Sequence, residues 1–106
     1  MKLLLIGGAG YIGSFLHPRL ERDGFDVDIC DLGQRGFQSA PVKFHRDCVT
    51  LTPDELSPYS HILWFGGHSS VSAAVADPGG ALRNNCLNLV TLRTNSRADT
   101  KLIYAS

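Results

Sequence analysis

The chain has 106 residues, 43% of them hydrophobic, and its ten basic and ten acidic residues cancel. This length fits one domain, and the composition is ordinary for a globular protein. A net charge of zero argues against nucleic acid or an anionic membrane as the main partner, since both attract basic proteins. No apolar run approaches the roughly 18 residues of a membrane span.

Short apolar or alternating runs take turns along the chain with segments of helical period. In chain order these predict a strand at 3–6, a helix at 11–23, strands at 26–31 and 42–46, a helical turn from Thr52, a strand at 61–65, a helix at 81–93 and a strand at 101–105. Strands that alternate with helices predict a parallel sheet with right-handed crossovers. The predicted fold class is therefore α/β, with about five strands in the order 3-2-1-4-5 and flanking helices.

Each long helix is expected to bury one apolar face. The positions that mark this face on the first helix are Ile12, Phe15, Leu16 and Leu20. The second helix has Leu82, Cys86, Leu89, Val90 and Arg93 at helical spacing. Pro18 removes one hydrogen bond from the first helix, but the apolar spacing continues past it, and Gly24 is expected to end the helix.

Three cysteines, Cys30, Cys48 and Cys86, show no metal-binding spacing. An odd number without a Cys-x-x-Cys pair predicts reduced thiols in a cytoplasmic protein and no metal site. We expect all three to be small buried hydrophobic residues.

The strongest motif is a glycine-rich turn between the first strand and the first helix, Gly7-Gly8-Ala9-Gly10-Tyr11-Ile12-Gly13. It matches G-x-G-x-x-G from its second glycine and G-x-x-G-x-x-G from its first. The missing β-carbon at Gly10 allows a pyrophosphate to approach the backbone, and Gly13 lets the helix pack on the strand. The unpaired amides of Tyr11 and Ile12 at the helix start would face the phosphates. A tight turn without a ligand is the alternative.

Asp31 ends the second predicted strand and lies 18 residues after Gly13, close to the roughly 20 expected for a ribose-binding carboxylate. A carboxylate accepts hydrogen bonds from ribose hydroxyls and repels a 2′-phosphate, so the predicted cofactor is NAD in preference to NADP. Arg35 argues the other way, because a nearby arginine would hold that phosphate. A role for Asp31 as a turn residue also stays open. Together these features predict a Rossmann-like dinucleotide-binding domain.

With these elements, the sequence resembles the extended short-chain dehydrogenase/reductase family, in its nucleotide-sugar epimerase and dehydratase group, over essentially the whole chain. Besides the glycine spacing, the resemblance rests on weaker motifs: Asp47-Cys48, Phe65-Gly66-Gly67, Pro78 followed by Asn85, and Ile103-Tyr104-Ala105-Ser106. It implies that Asp47 and Cys48 flank the adenine and that the next motif lines the cofactor. The cofactor-binding residues expected in all are Gly7, Gly10, Tyr11, Ile12, Gly13, Asp31, Asp47, Cys48, Phe65, Gly66, Gly67 and Asn85.

The chain departs from the family pattern in three places, one of which is the segment from Arg93 to Thr100, which is short for the last helix and its loop. Asn88-Leu89 stands where the family usually has Gly-Thr. The Tyr-x-x-x-Lys pair that transfers the proton in this family does not occur in the sequence, and Ser106 matches only the serine that borders the active-site serine. No catalytic residue is therefore assigned.

The histidines offer no clear substitute for that pair. His68 follows the fourth predicted strand and is either a phosphate or ribose contact or an ordinary exposed loop residue. His17, His45 and His61 lie in predicted regular structure and are expected to be structural.

The resemblance implies the cofactor-binding portion of an NAD-dependent epimerase/dehydratase-type oxidoreductase, which acts on a nucleotide sugar by hydride transfer. Residues 1–106 would then be a single dinucleotide-binding domain, incomplete relative to the full doubly wound fold and without the substrate-binding part. The alternative is a stand-alone NAD-binding or sensor module without turnover, or an inactive relic. Because the last strand would be an unprotected apolar edge, we also expect self-association through it.

Overall fold

The computed structural model describes residues 1–7, 11–32, 42–65, 76–79 and 86–104. These residues form a parallel sheet of four strands in the order β2-β1-β3-β4. In chain order the elements are β1 (Lys2–Ile6), α1 (Tyr11–Arg22), β2 (Asp26–Cys30), a 3₁₀ turn (Cys48–Thr50), α2 (Pro53–Leu56), β3 (His61–Trp64), α3 (Asn88–Asn95) and β4 (Lys101–Tyr104). The predicted α/β class and the order of these four strands are confirmed.

The central strand β1 fixes the register of the sheet. Leu5 lies opposite Ile29 on β2 and opposite Leu63 on β3. On the far side of β3, Ile62 lies opposite Leu102 of β4. Because successive side chains of a strand point to opposite faces, the sheet carries an apolar layer on each side.

The two apolar layers are covered by different elements. The face under α1 contains Leu3, Leu5, Val27 and Ile29, with Leu20 and Phe25 packed against them. The other face is covered by the 3₁₀ turn, α2 and α3, and its buried residues include Leu4, Ile6, Leu51, Leu56, Tyr59, Ile62, Trp64 and Leu92. The run of β1 thus has the two-sided burial expected of parallel strands, whereas β3 is buried on one face and partly buried on the other.

The predicted strand at 42–46 is wrong, since only an isolated bridge joins Phe44 to Cys30. The Phe44 amide donates to the Ile29 carbonyl oxygen at 3.0 Å, so the segment does lie beside β2 where the predicted order put it. Three residues later, the Asp47 side chain caps the 3₁₀ turn and the chain leaves the sheet. The sheet therefore has four strands and one bridge instead of five strands.

The buried face of α1 differs from the prediction. Phe15 is 64% exposed, and the Arg19 guanidinium lies over its ring at 5.1 Å. The stripe that faces the sheet contains Gly13, the buried His17 and Leu20. Phe15 lies two residues from both Gly13 and His17, which is about 200° of rotation, so it points to solvent.

The end of α1 confirms the predicted helix stop. The helix continues through Pro18 to Arg22. Gly24 follows with a φ of 94°, and the Phe25 amide donates to the Leu20 carbonyl oxygen at 3.1 Å. This left-handed conformation is strained for residues with a side chain, which explains the glycine.

The helix α3 ends two residues later than predicted, and predicted positions 81–85 lie outside the described residues. On α3, Leu92 is buried in the apolar core, whereas Val90 is 62% exposed. Cys86 is also exposed, so its predicted burial is wrong. Val90 lies two residues from Leu92, and this rotation puts it on the opposite side of the helix.

Within the described residues, β4 pairs only with β3 and forms one edge of the sheet. Its Ile103 and Tyr104 side chains are about half exposed. An apolar edge strand is thus present where the sequence predicted one. No helix in the described part of the chain is long and apolar enough to cross a membrane.

Candidate functional site

Three strand ends meet at the carboxyl edge of the sheet. The Gly7 amide, directly after β1, donates to the Cys30 carbonyl oxygen at 2.8 Å. The Phe65 amide, directly after β3, donates to the Ile6 carbonyl oxygen at 2.8 Å. Asp31 follows Cys30, so the glycine turn, the expected ribose carboxylate and the end of β3 are neighbours. In open parallel sheets, ligands bind outside this edge.

The glycine turn starts with the backbone conformation that its sequence predicts. Gly7 has a φ of 77°, in the region where a side chain is strained. The chain enters α1 at Tyr11, so Tyr11 and Ile12 contribute amides to the first helical turn, where N–H groups have no partner within the helix. That turn holds no acidic residue, and the last turn of α1 holds two arginines. The helix dipole therefore favours an anion at the helix start, and no acidic side chain of the first turn repels that anion.

Asp31 and Asp47 are both near enough to the Cys30 thiol for their charges to act on it. Burial, followed by the charges of these two carboxylates, raises the pKa of Cys30 to about 12. The Cys30 Sγ–H donates to the Arg46 carbonyl oxygen at 3.2 Å, which joins β2 to the segment that leads to Asp47. The structure thus brings the residues expected at the ribose and at the adenine to one place.

Asp47 and Cys48 form the start of the 3₁₀ turn. An Asp47 carboxylate oxygen accepts a hydrogen bond from the Val49 amide at 3.2 Å and so fixes this turn. Cys48 is buried in the apolar layer beside Cys30 and Trp64. Burial, followed by the Asp47 charge, raises the pKa of Cys48 to about 12, so this thiol stays protonated near neutral pH. It therefore offers the site no nucleophile.

Part of the predicted site lies outside the described residues. Those predicted positions are Gly10, Gly66, Gly67, Asn85 and the bordering Ser106. Three of the remaining predicted positions, Gly7, Asp31 and Phe65, directly follow the three strands. The others begin α1 (Tyr11 and Ile12), lie buried in it (Gly13) or begin the 3₁₀ turn (Asp47 and Cys48). Among the described residues, no group of three or more His, Cys, Asp or Glu side chains is placed to hold a metal ion.

Two further residues at this edge were not predicted as site residues. A His45 ring nitrogen, Nε2, hydrogen-bonds the Leu32 carbonyl oxygen at 3.1 Å. The Arg46 guanidinium pairs with Glu55 and lies over the Phe44 ring at 5.6 Å, while its buried Nε has no partner in the described structure. The predicted strand order was the available signal, because it places the residues after Phe44 beside the end of β2.

A sequence model of the "NAD dependent epimerase/dehydratase family" matches residues 3–106. Among characterised relatives, the UDP-glucose 4-epimerase of Corynebacterium glutamicum is 30% identical over 114 aligned residues, which cover 100% of this chain and 35% of that protein. The chain therefore spans about a third of the length of this relative.

Solved structures give the same result. The UDP-glucose 4-epimerase of Thermus thermophilus, solved in complex with NAD, superposes with a TM-score of 0.76 at 26% identity and covers 90% of this chain and 33% of its own. The UDP-glucose 4-epimerase of Brucella ovis, also in complex with NAD, superposes with a TM-score of 0.84 at 25% identity and covers 99% and 35%. The described sheet is thus similar to the Rossmann-like sheet of these enzymes.

Proposed function

This chain belongs to the NAD-dependent epimerase/dehydratase family, and we propose from that premise that its carboxyl-edge site binds the adenosine diphosphate half of NAD. Two relatives of similar fold were solved in complex with NAD, which supports this proposal. The reaction that we propose for the protein is hydride transfer between NAD and a carbon of a nucleotide sugar. In this reaction, the role of these 106 residues is to hold and orient the cofactor.

The hydrogen bond from Gly7 to Cys30 is the observation that carries the proposal. This hydrogen bond joins the glycine turn, whose amides can donate to a phosphate, to the residue before Asp31, whose carboxylate can accept hydrogen bonds from ribose hydroxyls. In the proposed complex, Gly7 keeps the start of the turn free of a side chain, and the amides of Tyr11 and Ile12 hold the pyrophosphate. The Asp31 carboxylate accepts hydrogen bonds from the ribose hydroxyls.

The adenine is proposed to lie between Asp47 and the apolar surface that includes Cys48. The half-buried Asp47 carboxylate caps the 3₁₀ turn through one oxygen, which fixes its position at the edge of the site. A carboxylate accepts hydrogen bonds only, so it suits the amino group of adenine. The amide donors of the glycine turn and the carboxylate acceptors thus match the acceptors and donors of a dinucleotide.

When bound, NAD supplies a nicotinamide ring that accepts or releases a hydride. The residues of this chain bind, orient and shield the cofactor, and the sequence contains no Tyr-x-x-x-Lys pair to move a proton. We therefore propose that residues 1–106 are a single dinucleotide-binding domain. Contacts to the nucleotide sugar are proposed to come from a segment that corresponds to the portion of the relatives that this chain does not cover.

Asp31 makes NAD the proposed cofactor in preference to NADP. A 2′-phosphate in contact with this half-buried carboxylate would meet like charge without full solvent screening. Asp31→Asn is expected to weaken NAD binding by about tenfold, because a hydrogen bond to a charged group is lost. The same change should narrow the difference between NAD and NADP in a calorimetric titration.

Calorimetric titration of NAD into Gly10→Val tests the site itself. A branched side chain at Gly10 is expected to abolish binding, because it occupies the place where the pyrophosphate must meet the backbone. Gly24→Ala is the control, since it strains a left-handed glycine at the opposite, amino edge of the sheet. This control should lose stability and keep NAD affinity. Equal NAD affinity of Gly10→Val and the parent would contradict the proposal.

A further inference from the structure

The backbone that carries Asp31 is held on both sides by the segment that follows the loop. The Asp31 amide donates to the Phe44 carbonyl oxygen at 3.0 Å. One residue later, the Leu32 carbonyl oxygen lies 3.1 Å from Nε2 of His45. Asp31 therefore lies between a backbone hydrogen bond and a side-chain hydrogen bond, and both come from residues 44–45.

The direction of the His45 hydrogen bond follows from its partner. A carbonyl oxygen only accepts, so Nε2 of His45 carries the proton and donates it. The Leu32 side chain is 46% exposed, so apolar packing contributes little to the position of this turn. Among the described contacts, the hydrogen bond from His45 is thus an important restraint on the backbone that follows Asp31.

We propose that His45 is a positioning residue for the adenosine ribose, an inference that rests on the proposed dinucleotide site. By holding the Leu32 carbonyl, His45 fixes the backbone that carries Asp31 and thereby aims its carboxylate at the ribose 2′-hydroxyl. A carboxylate that is held in place before the ligand arrives loses less conformational freedom on binding. His45 acts through Asp31 and does not itself contact the cofactor.

Two amide variants separate this role from a general effect on folding. In His45→Gln, the amide nitrogen lies the same number of bonds from the Cα as Nε2 and can still donate to Leu32. In His45→Asn, the same amide group is one carbon too short. We expect His45→Asn to weaken NAD binding by about fivefold, the equivalent of one ordinary hydrogen bond, and His45→Gln to stay within about twofold of the parent.

The ligand series and a double variant locate the effect at Asp31. For the NAD analogue with 2′-deoxyribose at the adenosine, His45→Asn should bind as well as the parent, because the 2′-hydroxyl at which His45 aims the Asp31 carboxylate is gone. In an Asp31→Asn background, His45→Asn should cause no further loss of NAD affinity. Equal losses for NAD and for the analogue, or additive losses in the double variant, would overturn the positioning role.

Failure of this inference is distinguishable from failure of the proposed function. If the parent binds NAD and all His45 variants bind it equally, the role of His45 is wrong and the dinucleotide site stands. If the parent binds no dinucleotide, both are overturned. Hydrogen exchange of the Asp31 and Leu32 amides without ligand checks the constraint directly, since exchange should become several-fold faster in His45→Asn and stay unchanged in His45→Gln. Equal exchange in both variants would overturn the constraint.

Discussion

Replacement of Tyr59 by phenylalanine should destabilise the fold. The Tyr59 ring is fully buried, and its hydroxyl donates to an Asp28 carboxylate oxygen at 2.6 Å. The same oxygen lies 3.3 Å from Nζ of Lys43 and 3.6 Å from Nζ of Lys2. Burial opposes ionisation of Asp28, but hydrogen bonds from Tyr59 and Lys43 and the two lysine charges outweigh it and hold the pKa of the carboxyl below its ordinary value.

Tyr59→Phe keeps the ring and removes one hydrogen bond to a charged acceptor. Such bonds contribute about 1.5–3 kcal/mol, and the lower end applies because Asp28 keeps both lysines. A loss of about 1.5 kcal/mol corresponds to a fall of roughly 6–12 °C in the melting temperature of a domain of this size. Thermal unfolding followed by circular dichroism measures this change. Tyr104→Phe is the matched control, since Tyr104 is 48% exposed, and it should change the free energy of unfolding by less than about 0.5 kcal/mol.

The loss in Tyr59→Phe should also depend on pH. A carboxyl with a lower pKa in the folded state stabilises the fold above its unfolded pKa, and this contribution is lost as the pH falls through the folded pKa. Since Tyr59 helps to lower the pKa of Asp28, the gap between parent and variant should be full at pH 7 and should narrow below about pH 4. Equal melting temperatures at pH 7, or a gap that does not narrow in acid, would refute the reasoning.

Three further predictions concern other parts of the chain. Burial raises the pKa of both Cys30 and Cys48 to about 12, whereas Cys86 is exposed, so a thiol reagent at neutral pH should modify one thiol in the native chain and three after unfolding; rapid native labelling of all three would contradict this. Thr52→Ala removes the capping box of α2 and should lower the free energy of unfolding in urea by about 1 kcal/mol, so an unchanged midpoint would argue against the cap. We propose that the chain self-associates through the edge strand β4, and sedimentation should show larger species with rising concentration for the parent but not for Ile103→Lys; a parent that stays monomeric would exclude this edge as an interface.

The sequence predicted the elements whose signals are local. Apolar runs identified β1 and β3, and a threonine, a proline and Glu55 at capping-box spacing predicted the start of α2. Gly24 predicted the end of α1, because few other residues adopt its φ of 94°. These signals depend on neighbours in the sequence and need no knowledge of the packed structure.

The failures all depend on tertiary packing. Phe15 looked like a core residue because it is apolar, yet it is exposed and the buried stripe of α1 contains Gly13 and His17. The segment 42–46 alternates like a strand, but the cap at Asp47 turns it away after one bridge. A pattern gives the spacing of a face, whereas the neighbouring layer decides which face is buried.

The candidate site divides in the same way. The glycine turn and Asp31 were predicted as site residues because each motif requires a fixed residue type at a fixed distance. The contribution of His45 was not found, because its hydrogen bond reaches Leu32 across a loop and leaves no spacing rule in the sequence.

Titration of the ¹⁵N-labelled chain with NAD, followed by two-dimensional NMR, tests the central claim most directly. We expect the largest changes in amide shift at the carboxyl edge, at Gly7, Tyr11 and Asp31. Amides at the amino edge, such as those of Gly24 and Ser60, should not move. Changes that cluster at the amino edge, or unchanged spectra in excess NAD, would contradict it.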